Sequence, residues 1–147
     1  MTNRLDALFS GDMQPGIYQL DMSLRPGTIC ERAAAHGFAC FYLNGARVFD
    51  KASLLTETAA AMAFPGYFGH NWDALEECVN DMSWADAEGY VLVYDHVAVL
   101  SGNHADVVNT FLNILRAAVD SWSQQSRPFY VLLRNTGILP QAIPSLE

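Results

Sequence analysis

The segment Tyr90-Val91-Leu92-Val93-Tyr94 constrains the fold more than any other part of the chain. It shows no polar alternation, so a strand built from it needs cover on both faces, which is how a central strand of a parallel sheet reads. Parallel neighbours demand crossover connections, usually helical. The flanking sequence supplies both kinds of element. Gly16-Ile17-Tyr18-Gln19-Leu20 follows Pro15 and reads as a short strand, and Phe38-Ala39-Cys40-Phe41-Tyr42-Leu43 is a second, ended by the turn pair Asn44-Gly45. Pro128-Phe129-Tyr130-Val131-Leu132-Leu133 makes the last strand.

Helical signals fill the intervals. Thr28-Ile29-Cys30-Glu31 has capping-box spacing, predicting a helix that runs to about His36 and stops at Gly37. Asp50 is placed to cap a helix from about Lys51 to Ala63, with Leu54, Leu55, Ala59 and Met62 on one face; Pro65 cannot continue it. Another helix is expected from Asn71 to Met82. Between Asp106 and Trp122, the residues Val107, Phe111, Ile114, Leu115, Ala118 and Trp122 recur at steps of three and four. The order β-α-β-αα-β-α-β predicts an α/β fold with right-handed crossovers around a small parallel sheet. The sheet has three strands, with a fourth available from the first β-α pair. Gly137, Pro140 and Pro144 make residues 135–147 an irregular tail.

At 147 residues the chain fits one domain, and its 51% hydrophobic content suffices for a buried core and excludes disorder over most of its length. Eight basic residues against sixteen acidic ones leave a formal charge of −8. That balance argues against a protein that grips nucleic-acid phosphates, which needs basic side chains. A basic partner, a metal or no charged partner remain. No apolar run approaches the ~18 residues that would span a bilayer. The start, Met1-Thr2-Asn3-Arg4-Leu5-Asp6, lacks the apolar centre of a signal peptide. The cysteines Cys30, Cys40 and Cys78 are odd in number and form no Cys-x-x-Cys pair, which argues against a disulfide framework or a zinc site. The expectation is a cytoplasmic protein.

The charges are unevenly placed. From Ala52 to Leu115 there is no Lys or Arg but there are nine acids: Glu57, Asp73, Glu76, Glu77, Asp81, Asp86, Glu88, Asp95 and Asp106. Four of them fall on the helix expected from Asn71. Its apolar stripe is Trp72, Leu75, Val79 and Met82, with Cys78 beside it; Asp73, Glu77 and Asp81 stand four apart on the other side, with Glu76 between. Like charges at that spacing cost roughly 0.2–0.5 kcal/mol per pair. The helix dipole offsets this only in the first turn, at Asp73 and partly at Glu76. A solvated face on an acidic protein accounts for the pattern, but so does a surface that meets positive charge. The preceding segment, Pro65-Gly66-Tyr67-Phe68-Gly69-His70-Asn71-Trp72, favours the second account, because aromatics beside acids on a rigidly mounted loop suit an interface.

The run Phe64-Pro65-Gly66-Tyr67-Phe68-Gly69-His70-Asn71-Trp72-Asp73-Ala74-Leu75-Glu76-Glu77-Cys78 resembles the signature segment of the barstar family, the intracellular inhibitors of barnase-type ribonucleases. The resemblance extends over residues 38–134, making 1–37 an N-terminal extension with a short strand and helix. It implies a barstar-like fold and a partner that is a small basic ribonuclease, occluded by acids placed where RNA phosphates would bind. By position, Tyr67 falls on the family's loop tyrosine, Asn71 and Asp73 on its Asn and Asp at the helix start, and Glu77 on the aspartate that enters the enzyme's cleft. Asp106, on the next helix, aligns with a second acidic contact. The partner-binding set implied is therefore Tyr67, Gly69, His70, Asn71, Asp73, Glu76, Glu77, Asp81 and Asp106, with no cofactor, no metal and no catalytic residue. Two positions depart from the family pattern: Glu77 is one methylene longer than Asp, and Glu76 stands where a contact tryptophan is usual.

Other readings use the same residues. A protein-binding module with a non-ribonuclease partner is the main alternative. An acid/base pair of Asp73 and Glu77 would need two carboxylates facing each other across a cleft, whereas these are neighbours on one helix. His70-x-x-Asp73-x-x-x-Glu77 has the donors for a divalent ion but no second histidine nearby in sequence. Gly66 and Gly69 precede a helix without the Lys-Ser/Thr of a phosphate loop.

Overall fold

The computed structural model describes residues 2–66 and 69–146. In chain order the elements are α1 (Thr2–Phe9), β1 (Gly16–Gln19), α2 (Pro26–Ala35), β2 (Phe38–Asn44), α3 (Lys51–Ala61), α4 (Trp72–Asp81), β3 (Gly89–Asp95), α5 (Val97–Ser101), α6 (Ala105–Ser123) and β4 (Phe129–Leu133). The four strands form one parallel sheet in the order β1-β4-β3-β2. The α/β fold expected from the sequence is therefore present, and the strand from the N-terminal segment joins the sheet at the edge beside β4.

The apolar run Tyr90–Tyr94 is buried along its whole length: every residue of β3 and of β4 lies in the interior. Alternate residues serve two cores. Tyr90, Leu92 and Tyr94 of β3, with Phe129, Val131 and Leu133 of β4, pack under α3, α4, α5 and α6. Val91, Val93, Tyr130 and Leu132 point the other way, under α1, α2 and Leu146. The period of two along each strand thus divides one continuous apolar run between two helical layers. The second layer comes wholly from residues outside 38–134, so the N-terminal segment completes the sandwich.

Helix ends follow local chemistry. Asp50 caps α3 by accepting a hydrogen bond from the Ser53 N–H at 2.8 Å, as expected. Gly37 takes φ +79° just beyond α2, a conformation easy only for glycine. The capping box expected at Thr28 is not formed: α2 begins two residues earlier, at Pro26, with Arg25 as its N-cap and no side-chain cap. Proline's fixed φ suits the first helical turn and outweighs the Thr-Glu spacing. Two helices were not expected, α1 and the one-turn α5. The tail is irregular apart from a bridge between Gln19 and Ser145; the Gln19 N–H donates to the Pro144 carbonyl at 2.8 Å and the Leu146 N–H to the Gln19 carbonyl at 2.9 Å. It covers the outer edge of β1, which an exposed strand needs if it is not to recruit another.

The expectation of no disulfide is overturned at one pair. Cys30 of α2 and Cys40 of β2 are bonded, with Cα atoms 5.3 Å apart. Chain reversal at Gly37 lays α2 along β2, and the pleat turns Cys40 toward that helix. Cys78 is a free, buried thiol, pushed above its ordinary pKa first by burial and then by the charges of Glu77 and Asp81. Among the described residues no group of three or more His, Cys, Asp or Glu is arranged to hold a metal ion, and no helix is long and apolar enough to cross a membrane.

Candidate functional site

Helix α4 is fastened from below. Leu75, Cys78, Val79 and the flanking Met82 are buried in the larger core. Trp122, near the end of α6, donates its indole N–H to the Val79 carbonyl at 2.8 Å, a buried bond that fixes the height of the last turns. At the start, Asn71 is the N-cap: its Oδ1 accepts from the Ala74 N–H at 2.8 Å, and its Nδ2 donates to the Gly69 carbonyl at 3.4 Å. Asn71 therefore serves the helix with its side-chain oxygen. His70 just before it takes φ +55° and is exposed, as is Gly69. Trp84, just after α4, donates to the Met62 carbonyl at 3.0 Å and its ring meets Phe64 edge-on at 5.8 Å, which anchors the base of the loop before the helix. Tyr67, with its neighbour Phe68, lies outside the described residues.

With one side anchored, the other side of α4 faces solvent. Asp73, Glu76, Glu77 and Asp81 are all exposed, and with Asn80 they line a shallow depression of about 500 Å³. Asn80 was not singled out from the sequence, although its place four residues after Glu76 puts it on the same face. Ion pairs elsewhere join Arg32 to Asp6, Arg127 to Asp86 and Arg134 to Asp95, but among the described residues none reaches these four carboxylates. Lys51 sits instead over the Trp72 ring, 5.1 Å from its centroid. The face is thus a row of solvated negative charge with no counter-ion among the described residues. Asp106 is exposed in the first turn of α6 but does not line the depression. It lies sixteen residues, about 24 Å of helix, from the Trp122 that supports α4.

The carboxyl ends of the strands form a second polar centre that the sequence did not point out. In open parallel sheets the crevice at this edge, where connections leave for opposite faces, is the usual ligand position. Here Arg134 fills it. Its guanidinium donates to Asp95 Oδ2 at 2.8 Å, to the Leu24 carbonyl at 2.9 Å and to the Met22 carbonyl at 3.0 Å. Burial pushes the Asp95 carboxyl up, but hydrogen bonds from the His96 N–H, Asn135 and Tyr42, with the charge of Arg134, outweigh it and hold the group below its ordinary range. This network ties the loop after β1 to the ends of β3 and β4, a structural role.

An acidic helix mounted on a parallel α/β sandwich is the arrangement the signature segment implied, and the family comparison agrees. The profile described as Barstar (barnase inhibitor) matches residues 38–134. The chain belongs to the barstar family. The barstar match takes in β2 through β4 and all of α3 to α6, hence the whole acidic face; α1, β1, α2 and the tail lie outside it. No curated protein sequence matches the chain. Among solved structures, the ORC2 protein of Aeropyrum pernix, described in ADPNP-ADP complexes, superposes with a TM-score of 0.59 at 15% identity. The alignment covers 90% of this barstar-family chain but 38% of ORC2, and it speaks for a shared α/β fold alone.

Proposed function

We propose that the chain is an inhibitor of a small basic ribonuclease, which it occludes with the carboxylate face of α4 and the loop before it. The observation that carries this reading is the exposed set Asp73, Glu76, Glu77 and Asp81, which no described cation of the chain pairs. A cleft that binds RNA must be basic, and an acidic face opposite it speeds encounter and orients docking. Desolvating clustered carboxylates is tolerable when the partner brings the cations and donors. The chain acts here as a binding protein, with no chemical step of its own.

The test is RNA cleavage by candidate small basic ribonucleases, with and without the protein, at two salt concentrations. Inhibition that weakens at higher salt and is lost in Asp73→Ala and Glu77→Ala supports the proposal; inhibition indifferent to both substitutions overturns the assigned face. One observation favours a second reading, a non-ribonuclease partner: Glu76 exposes a carboxylate where the family pattern has an aromatic contact residue. Capture from the source cell separates the two, because a basic endonuclease supports inhibition and a non-nuclease partner supports the module.

A further inference from the structure

We propose that Cys30 and Cys40 form a reversible thiol–disulfide site that locks the N-terminal helical layer onto the barstar-type domain. The two residues are ten apart in sequence and belong to different parts of the fold: Cys30 to α2, outside the family match, and Cys40 to the sheet-edge strand β2, inside it. Their bond is the covalent link, beyond the chain itself, between these parts. Both residues are only half-buried, so a small thiol or disulfide in solution has access to them, whereas Cys78 is buried and held as a thiol.

The other attachments of this layer are non-covalent. Leu5, Leu8, Phe9, Ile29 and Ala33 cover Val91, Val93, Tyr130 and Leu132, and Phe9 meets Phe38 edge-on at 5.3 Å. The Arg32–Asp6 pair is substantially exposed and adds little. When the bond is open, apolar packing, β1 pairing and the hydrogen bonds from Arg134 to the Leu24 and Met22 carbonyls hold α2 and the loop before it to the sheet. When it is closed, α2 cannot leave β2 without unfolding the reversal at Gly37.

The chemistry balances with a low-molecular-weight disulfide as oxidant. One cysteine thiolate attacks the small disulfide, giving a mixed disulfide and releasing one small thiolate. The second cysteine thiolate then attacks the protein sulfur of that mixed disulfide, closing Cys30–Cys40 and releasing the other small thiolate. Two protein thiols are oxidised, one small disulfide is reduced to two thiols, and the protons follow the sulfurs that leave. This site lies on α2 and the outer strand, not on the acidic helix, so the proposal does not depend on the inhibitor reading.

The experiment equilibrates the full chain with reduced and oxidised glutathione at several ratios, traps thiols by alkylation, and measures peptide masses and amide exchange. The expected result is an intramolecular Cys30–Cys40 bond that opens and closes with the ratio while Cys78 stays reduced. The closed form should exchange amides of residues 26–44 more slowly and favour the folded state by on the order of 100-fold over the open form, the chain-entropy value for so short a loop. Cys30→Ala and Cys40→Ser should each abolish the difference between the two buffers. Mixed disulfides alone, persistent free thiols, or equal exchange over residues 26–44 in both forms would overturn the proposal; the measurement on the unsubstituted chain decides this even if a variant folds poorly.

Discussion

Replacing Glu77 by Lys should make the protein more stable and a worse inhibitor at once. In the native helix Glu77 stands four residues from both Asp73 and Asp81, all three exposed on the same face. The substitution turns two repulsions of roughly 0.2–0.5 kcal/mol into two attractions of similar size, with Asp73 in the favourable position N-terminal to the lysine. Glu and Lys have nearly equal helix propensity, and residue 77 is beyond the first turn where the dipole matters. The net gain is therefore about 1–2 kcal/mol, or a rise of about 3–6 °C in Tm for a chain of this size. Thermal and urea unfolding followed by circular dichroism at low salt measures it. In about 1 M salt, where the screening length is near 3 Å, the gain should largely vanish. Equal or lower stability at low salt would refute the reasoning, since it would mean the face carries no unrelieved repulsion. The same variant should lose inhibition, because a cation then meets the basic cleft.

Three other perturbations test the scaffold. Asn71→Ala removes the cap on the first turn of α4 and should cost about 1 kcal/mol in urea unfolding, with Asn71→Asp retaining most of it. Asp95→Ala leaves Arg134 buried without its carboxylate and should cost about 3–5 kcal/mol, while Arg134 paired as now should show well-protected amides around it. Gly45→Ala places a methyl group 2.8 Å from the Tyr94 ring and well inside contact distance of the Asp95 carbonyl oxygen, and should cost about 1–3 kcal/mol. The pH response follows from two aspartates. Asp50 and Asp95 are both held below the ordinary value of 3.8 in the folded chain, so each stabilises the fold above that pH and loses its contribution as pH falls through the lowered value. The stability of Asp50→Asn should accordingly fall less steeply than that of the parent chain as pH drops below 3.8.

The strands were legible because apolar runs of five or six residues bounded by Gly, Pro and Asn admit few other structures, and for β3 and β4 burial on both faces followed. Helix α6 was legible for a related reason: its three-and-four spacing sorts Phe111, Leu115, Ala118 and Trp122 onto one side. Helix α1 was missed because Leu5, Leu8 and Phe9 are too few to set a period, and its stability comes from packing on the sheet. The start of α2 was misplaced because two local signals competed and the proline prevailed. The Cys30–Cys40 bond depends on which residues the reversal at Gly37 brings together, a fact of three-dimensional register that spacing alone does not carry. In the candidate site, the separation of acids from core residues along α4 follows directly from helical spacing. The placement of Asp106 away from the depression, and the filling of the sheet crevice by Arg134, arise from how separate elements pack.

The central claim, that a carboxylate row which no described cation pairs is held out for a basic enzyme, is tested most directly by the association rate with a ribonuclease that the chain inhibits, measured across ionic strength. The account predicts a rate that falls steeply with added salt, and a clearly shallower dependence when Asp73 and Glu77 are both replaced by alanine. A rate indifferent to salt, or a slope unchanged by the double substitution, would contradict it.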